Sequence, residues 1–120
     1  METNVFYSEF NKDVLVCIIS EKDGRYKTFK PLFEKYGFGF ITTYADIAMI
    51  DGGVGLDEDT LKWVEAHEIA HINLGHSEER NAEDELEADK LAYEMLEGKG
   101  YTKSAQLVKE HSIERHGHQI

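Results

Sequence analysis

The chain has 120 residues, 41% hydrophobic and 31% charged, enough to bury one core but too few to divide into two ordinary domains. That apolar content excludes global disorder. A formal net charge of -11, from 24 acidic and 13 basic residues, repels nucleic-acid phosphates and anionic headgroups, so neither nucleic acid nor a membrane is an expected partner.

Met1 to Phe10 carries no basic stretch ahead of an apolar core, and the nearest apolar run is only about six residues long. No leader or span is expected, and the cytoplasm is the expected compartment. Val14 to Ile19 reads as a buried strand, bounded by the turn-like Glu21-Lys22-Asp23-Gly24. Cys17, the single cysteine, lies inside it as a small buried hydrophobe and excludes an intrachain disulfide or thiolate metal cage.

Phe29 to Tyr36 fits helix or strand. Phe38 to Tyr44 and Ile47 to Ile50, rich in aromatic and β-branched residues and closed by Gly52-Gly53, predict two or three strands. Asp57, Glu58 and Asp59 then supply capping side chains and negative charge for a helix starting near Thr60, which Gly75 should end. A second helix is predicted from about Asn81 to Leu96 and a third from about Thr102 to Ile113. Strands followed by helices predict an α+β fold over residues 1–120, a small N-terminal sheet packed on the first of these helices.

That helix carries His67-Glu68-Ile69-Ala70-His71, an H-E-x-x-H pattern. Residues four apart share a helical face, so two imidazoles can reach one ion while the intervening glutamate projects beside it. The alternative is a pair of solvated histidines. On the following helix, at 100° per residue, Glu85 falls in the middle of a stripe made by Leu86, Ala88, Ala92, Tyr93, Met95 and Leu96, with Asp89 one turn on. Glu83, Glu87, Lys90 and Glu94 take the opposite, charged side.

Two carboxylates within a stripe meant for burial need neutralising partners, and a metal with its histidines would serve. Ala88 and Ala92 allow the close approach that makes Glu85 a third ligand. Asp89 then suits a place behind the ligands, accepting the free ring N–H of a ligand histidine. Trp63 reads as core. His76 reads as a cap on the helix end in preference to a site residue, and His111, His116 and His118 read as exposed tail residues.

With HEIAH, Gly75-His76, and Glu85-Leu86-Glu87-Ala88-Asp89 downstream, the sequence resembles the minimal glutamate zincins, above all the ImmA/IrrE-type metallopeptidases, between about Ile47 and Leu96. A metzincin continuation is not present, because Leu74 and Ser77 stand where that pattern needs glycine and histidine. The resemblance implies one Zn2+ per chain on His67, His71 and Glu85, Glu68 as catalytic base, and Asp89 orienting a ligand. It implies hydrolysis of peptide bonds in a restricted, regulatory protein substrate. The edge of the strand at Ile47 to Ile50 would hold that peptide, and Tyr93 is the candidate to stabilise the oxyanion. The alternative function is a zinc-stabilised protein-binding module without turnover, and nothing in the sequence sets an oligomeric state.

Overall fold

The computed structural model describes residues 2–42, 46–77 and 80–117, with only the backbone at 115 and 116. Along the chain come β1 (Asn4–Ser8), β2 (Asn11–Ile19), α1 (Tyr26–Tyr36), β3 (Gly39–Ile41), β4 (Ile47–Asp51), α2 (Glu58–Leu74), α3 (Ala82–Gly98) and α4 (Thr102–His116). The fold is α+β, as expected. The sheet order is β1-β2-β4-β3, with β2 and β4 parallel and the outer pairs antiparallel.

Alternation along the inner strands explains why both faces of the sheet are covered. Val14, Val16, Ile18, Ala48 and Ile50 point to one face and form the main core with Trp63, Val64, Ile69, Ala92 and Leu96 of the helices. Ile19, Met49 and Phe40 point to the other, where Phe33 of α1 closes a smaller cluster. Cys17 borders that cluster half-buried rather than fully enclosed.

The stretch that fits either helix or strand is helical despite Pro31 within it. Its aromatics recur at helical spacing, and the rings of Phe29, Phe33 and Tyr36 lie 5.2–6.3 Å from that of Phe40, so packing overrides the proline's lost N–H. Strand β1 was not anticipated. Its alternation is one-sided, with Val5 and Tyr7 turned outward at 56% and 64% exposure, as an edge strand allows. Helix α2 starts two residues early because Asp57 is its N-cap, accepting a 2.8 Å hydrogen bond from the Thr60 N–H.

One expectation is overturned by the topology. The strand at Ile47 to Ile50 was expected to offer its edge, yet β4 pairs with β2 on one side and β3 on the other. Its backbone groups are therefore taken. The short β3, which covers only Gly39–Ile41 of the expected Phe38 to Tyr44, is the edge strand nearest the motif; residues 43–45 lie outside the described ones. A Cβ on Gly39 would stand 2.8 Å from Val64 Cγ1 and 3.2 Å from Glu68 Cγ, so glycine lets β3 lie directly on α2.

The β1–β2 hairpin is tied to the helices by buried polar groups. The Ser8 hydroxyl donates to Glu65 Oε2 at 2.7 Å, and Lys62 Nζ donates to Glu65 Oε1 at 2.9 Å and to Glu9 at 3.2 Å. Rings of Phe6, Phe10 and Tyr101 surround the ammonium at 5.2–5.8 Å. Burial pulls the Lys62 pKa down, but the Glu65 and Glu9 carboxylates outweigh it and raise the value. Lys62→Met should leave Glu65, 2% exposed, with only the Ser8 hydroxyl. Because Lys62 itself is partly open to solvent, the expected loss is about 2 kcal/mol, below that of a fully buried pair. Urea unfolding at pH 7 measures it; an unchanged midpoint would show that Glu65 needs no cation.

Candidate functional site

Helix α2 carries His67 and His71 on one face, and Gly75 ends it at φ 72°, its N–H returning to the carbonyls of His71 and Ile72. Helix α3 begins with a capping box, in which the Asn81 side chain accepts from the Asp84 N–H at 2.8 Å. Glu85 therefore stands in the first turn of α3, where the helix dipole favours a carboxylate. Ala88 and Ala92, both fully buried in the main core, let α3 come close to α2.

The side chains converge as the helical spacing predicts. His67 Nε2 lies 3.1 Å from Glu85 Oε2, His71 Nε2 lies 3.3 Å from Glu85 Oε1, and the two Nε2 atoms are 3.2 Å apart. His67, His71 and Glu85 thus form a group that could hold a metal ion. Asp89, with no exposed surface, faces His67 Nδ1 at 3.0 Å. A carboxylate only accepts, so Nδ1 carries the hydrogen and Nε2 is the nitrogen turned to the centre of the group.

Burial pulls the His67 pKa down, but hydrogen bonds to Asp89 and Glu85 outweigh it and push it up to about 9. At His71 burial dominates and lowers the value, against the opposing pull of Glu85. Burial raises Glu85, yet the two imidazoles outweigh it and hold its carboxyl well below the usual range. The group is therefore built around stabilised negative charge, as a cation site requires.

Glu68 is buried beside this centre, and its Oε1 accepts a 2.9 Å hydrogen bond from Arg80 Nη1. Arg80 was missed by sequence reasoning. It is the only lysine or arginine between Lys62 and Lys90 in a strongly acidic stretch, which is the signal that could have found it. Its Nε is buried and, among the described residues, has no hydrogen-bond partner.

Two histidine expectations are corrected. His76 does not serve as a helix-end cap by its side chain. Gly75 and backbone hydrogen bonds close the end of α2, while the His76 ring turns inward, its Nδ1 2.9 Å from His71 Nδ1. His111 is no exposed tail residue: it is part of α4, half-buried, with its ring 4.3 Å from that of Trp63. His116 lies in α4 by its backbone, and His118 lies outside the described residues. Trp63 is in the main core, as expected. Glu87 is exposed and does not join the His67 group; its Oε2 lies 3.6 Å from His76 Nε2, with Asp84 Oδ1 at the same distance. Tyr93 packs against the main core, and Lys109 Nζ lies 4.9 Å from its ring centroid.

Comparison with curated proteins and with solved structures finds no match. The sequence model of the Peptidase U49 family matches residues 55–114, half of the chain. That span runs from the approach to α2 through α3 and most of α4, and so contains both histidines, the glutamate between them and Glu85. The chain belongs to the Peptidase U49 family.

Proposed function

We propose that this peptidase is a zinc metallopeptidase of the glutamate-zincin type, similar in plan to ImmA/IrrE-type enzymes, that cuts a restricted, regulatory protein substrate. The carrying observation is the convergence of His67 Nε2, His71 Nε2 and the Glu85 carboxylate, with one ligand atom from each residue within 4.8 Å of the others. Two imidazole nitrogens and one carboxylate are donors that zinc accepts, so these three residues would hold the ion. Three protein ligands leave a fourth position open, as in catalytic sites.

What zinc supplies when bound is Lewis acidity that polarises the scissile carbonyl and activates a water. His67, His71 and Glu85 bind it, and Asp89 fixes the His67 ring. Glu68 takes the water's proton and passes it to the leaving amine. Arg80 is the cation beside Glu68, and that position makes it a stronger candidate than Tyr93, which packs against the main core, to meet charge developing on the carbonyl oxygen. Strand β3 pairs only with β4 among the described residues, so its outer edge can hydrogen-bond an extended peptide close to Glu68.

We take residues 1–120 as one working domain, since Ser8 and Glu9 of the hairpin bind Glu65 and Tyr101 inside the matched span. The cytoplasm is the proposed compartment; among the described residues no helix is long and apolar enough to cross a membrane.

Elemental analysis should find one zinc per chain in the wild type and in Glu68→Gln, and loss of zinc in His67→Ala/His71→Ala and in Glu85→Ala. Glu68→Gln should be inactive with its metal intact. Zinc retained by the double histidine variant would refute the site. Arg80→Ala should keep its zinc and lower kcat by about 10²- to 10³-fold, the usual cost of removing one oxyanion donor; kcat within twofold of wild type would remove Arg80 from the chemistry.

Substrate range follows from surface. A small acidic domain with one short edge beside its site should favour an extended segment flanked by basic residues. Casein should be cut slowly, whereas a host-cell lysate should yield a few new termini that depend on Glu68. Rapid Glu68-dependent cleavage of casein at many sites would refute a restricted specificity. Identical termini with wild type and Glu68→Gln would favour the zinc-stabilised binding module.

A further inference from the structure

We propose that His76 is a positioning residue for His71, and that His76, Asp84 and Glu87 form a relay holding that ligand ring rather than a second metal site. The proposal rests on the metal site argued above. His67 has its outer nitrogen held directly by a carboxylate, Asp89 at 3.0 Å. Among the described residues His71 has no such contact; its Nδ1 meets His76 Nδ1 at 2.9 Å. The turn at Gly75 makes this possible, because it returns the His76 N–H to the His71 carbonyl at 3.0 Å.

Two ring nitrogens at that distance share one hydrogen. His71 Nε2 faces Glu85 and His67 Nε2, so it is the nitrogen available to a metal, and a neutral imidazole bound there keeps its hydrogen on Nδ1. His76 Nδ1 must then accept. A neutral His76 accordingly carries its own hydrogen on Nε2, which faces Asp84 Oδ1 and Glu87 Oε2, each 3.6 Å away.

That orientation decides between two uses of the cluster. His76, Asp84 and Glu87 have the composition and spacing of a second cation group. A metal there would need the lone pair of His76 Nε2, which would move the hydrogen to His76 Nδ1 and then require a lone pair on His71 Nδ1. His71 would carry its hydrogen on Nε2 and lose its place in the first group. While the 2.9 Å hydrogen bond between His71 and His76 is kept, the two groups therefore cannot both bind metal through neutral histidines.

The test measures zinc affinity by competition with a chromophoric chelator, zinc content by elemental analysis, and ring tautomers by 15N NMR. His76→Ala and the ring-retaining His76→Phe should both weaken zinc binding by about 10- to 100-fold, the usual effect of removing a group that orients a ligand. His76→Asn, whose side-chain oxygen can accept from His71 Nδ1, should recover most of that loss. In the zinc-loaded wild type the spectrum should show hydrogen on His71 Nδ1 and on His76 Nε2. Melting of the metal-free variants alongside metal-free wild type checks that each is folded. Unchanged affinity in both Ala and Phe variants would overturn the relay, as would a second zinc lost on replacing His76. Asn behaving like Phe would reduce His76 to packing. Zinc surviving in His67→Ala/His71→Ala would instead overturn the underlying metal site, a separate outcome.

Discussion

The closure of α3 onto α2 through two carboxylates, Asp89 fully buried and Glu85 partly so, is the constraint on which the rest of this structure depends. Glu85 and Asp89 project one turn apart from the apolar side of α3, and an unpaired charge there would cost several kcal/mol. The imidazoles of His67 and His71 offset part of that cost through three contacts at 3.0–3.3 Å. Two contacts a turn apart fix the rotation and the axial position of α3 together. Alanines at 88 and 92 supply the closeness, and Leu96 continues the seam into the main core. The same pairs that lock the helices also gather the atoms that could hold a metal ion, so packing and the candidate site are set by one interface.

The sheet supplies the second boundary of the site. Residues 14, 16 and 18 of β2 and 48 and 50 of β4 form an apolar floor under α2, and α1 covers the reverse face through Phe33, packed on Phe40 of β3. With β4 paired on both sides, the edge falls to β3, and the missing side chain at Gly39 brings that edge against Val64 and Glu68. A bulkier residue at that position would lift the strand away from Glu68. The proximity of a free edge to the motif is therefore a packing result of one glycine.

Much of this was legible in the sequence, for identifiable reasons. Helices α2 and α3 carry their own punctuation, Asp57 and Asn81 at their starts and Gly75 at the end of α2, and their faces follow from 3.6-residue periodicity. The grouping of His67, His71, Glu85 and Asp89 needed only that periodicity and the cost of burying charge. Strand β1 was illegible because an edge strand with Val5 and Tyr7 exposed lacks the apolar run that marked β2. The place of β4 depends on strand order, which local pattern does not encode. His76 and Arg80 lie on the connection between α2 and α3, where no period applies and a single αL residue decides the direction of the chain. His111 was misread as tail because its partner, Trp63, is distant in sequence.

Two buried glutamates three residues apart on α2 show how the same side chain is given different work by its cation. Glu65 accepts from the Ser8 hydroxyl and is paired with Lys62 of its own helix, whose ammonium is boxed by three aromatic rings and bound to Glu9. Lys62 is thus held from several sides at once. Glu68 is paired instead with Arg80, which comes from the connection between helices and makes this contact through Nη1 while its Nε has no partner among the described residues. Withdrawal of Arg80 disturbs no other contact described for it. A general base needs a partner that can yield to a water, and a structural carboxylate needs one that cannot. The distinction lies in where each cation is anchored, and it supports Glu68, not Glu65, as the group that can exchange its hydrogen-bond partner during a reaction.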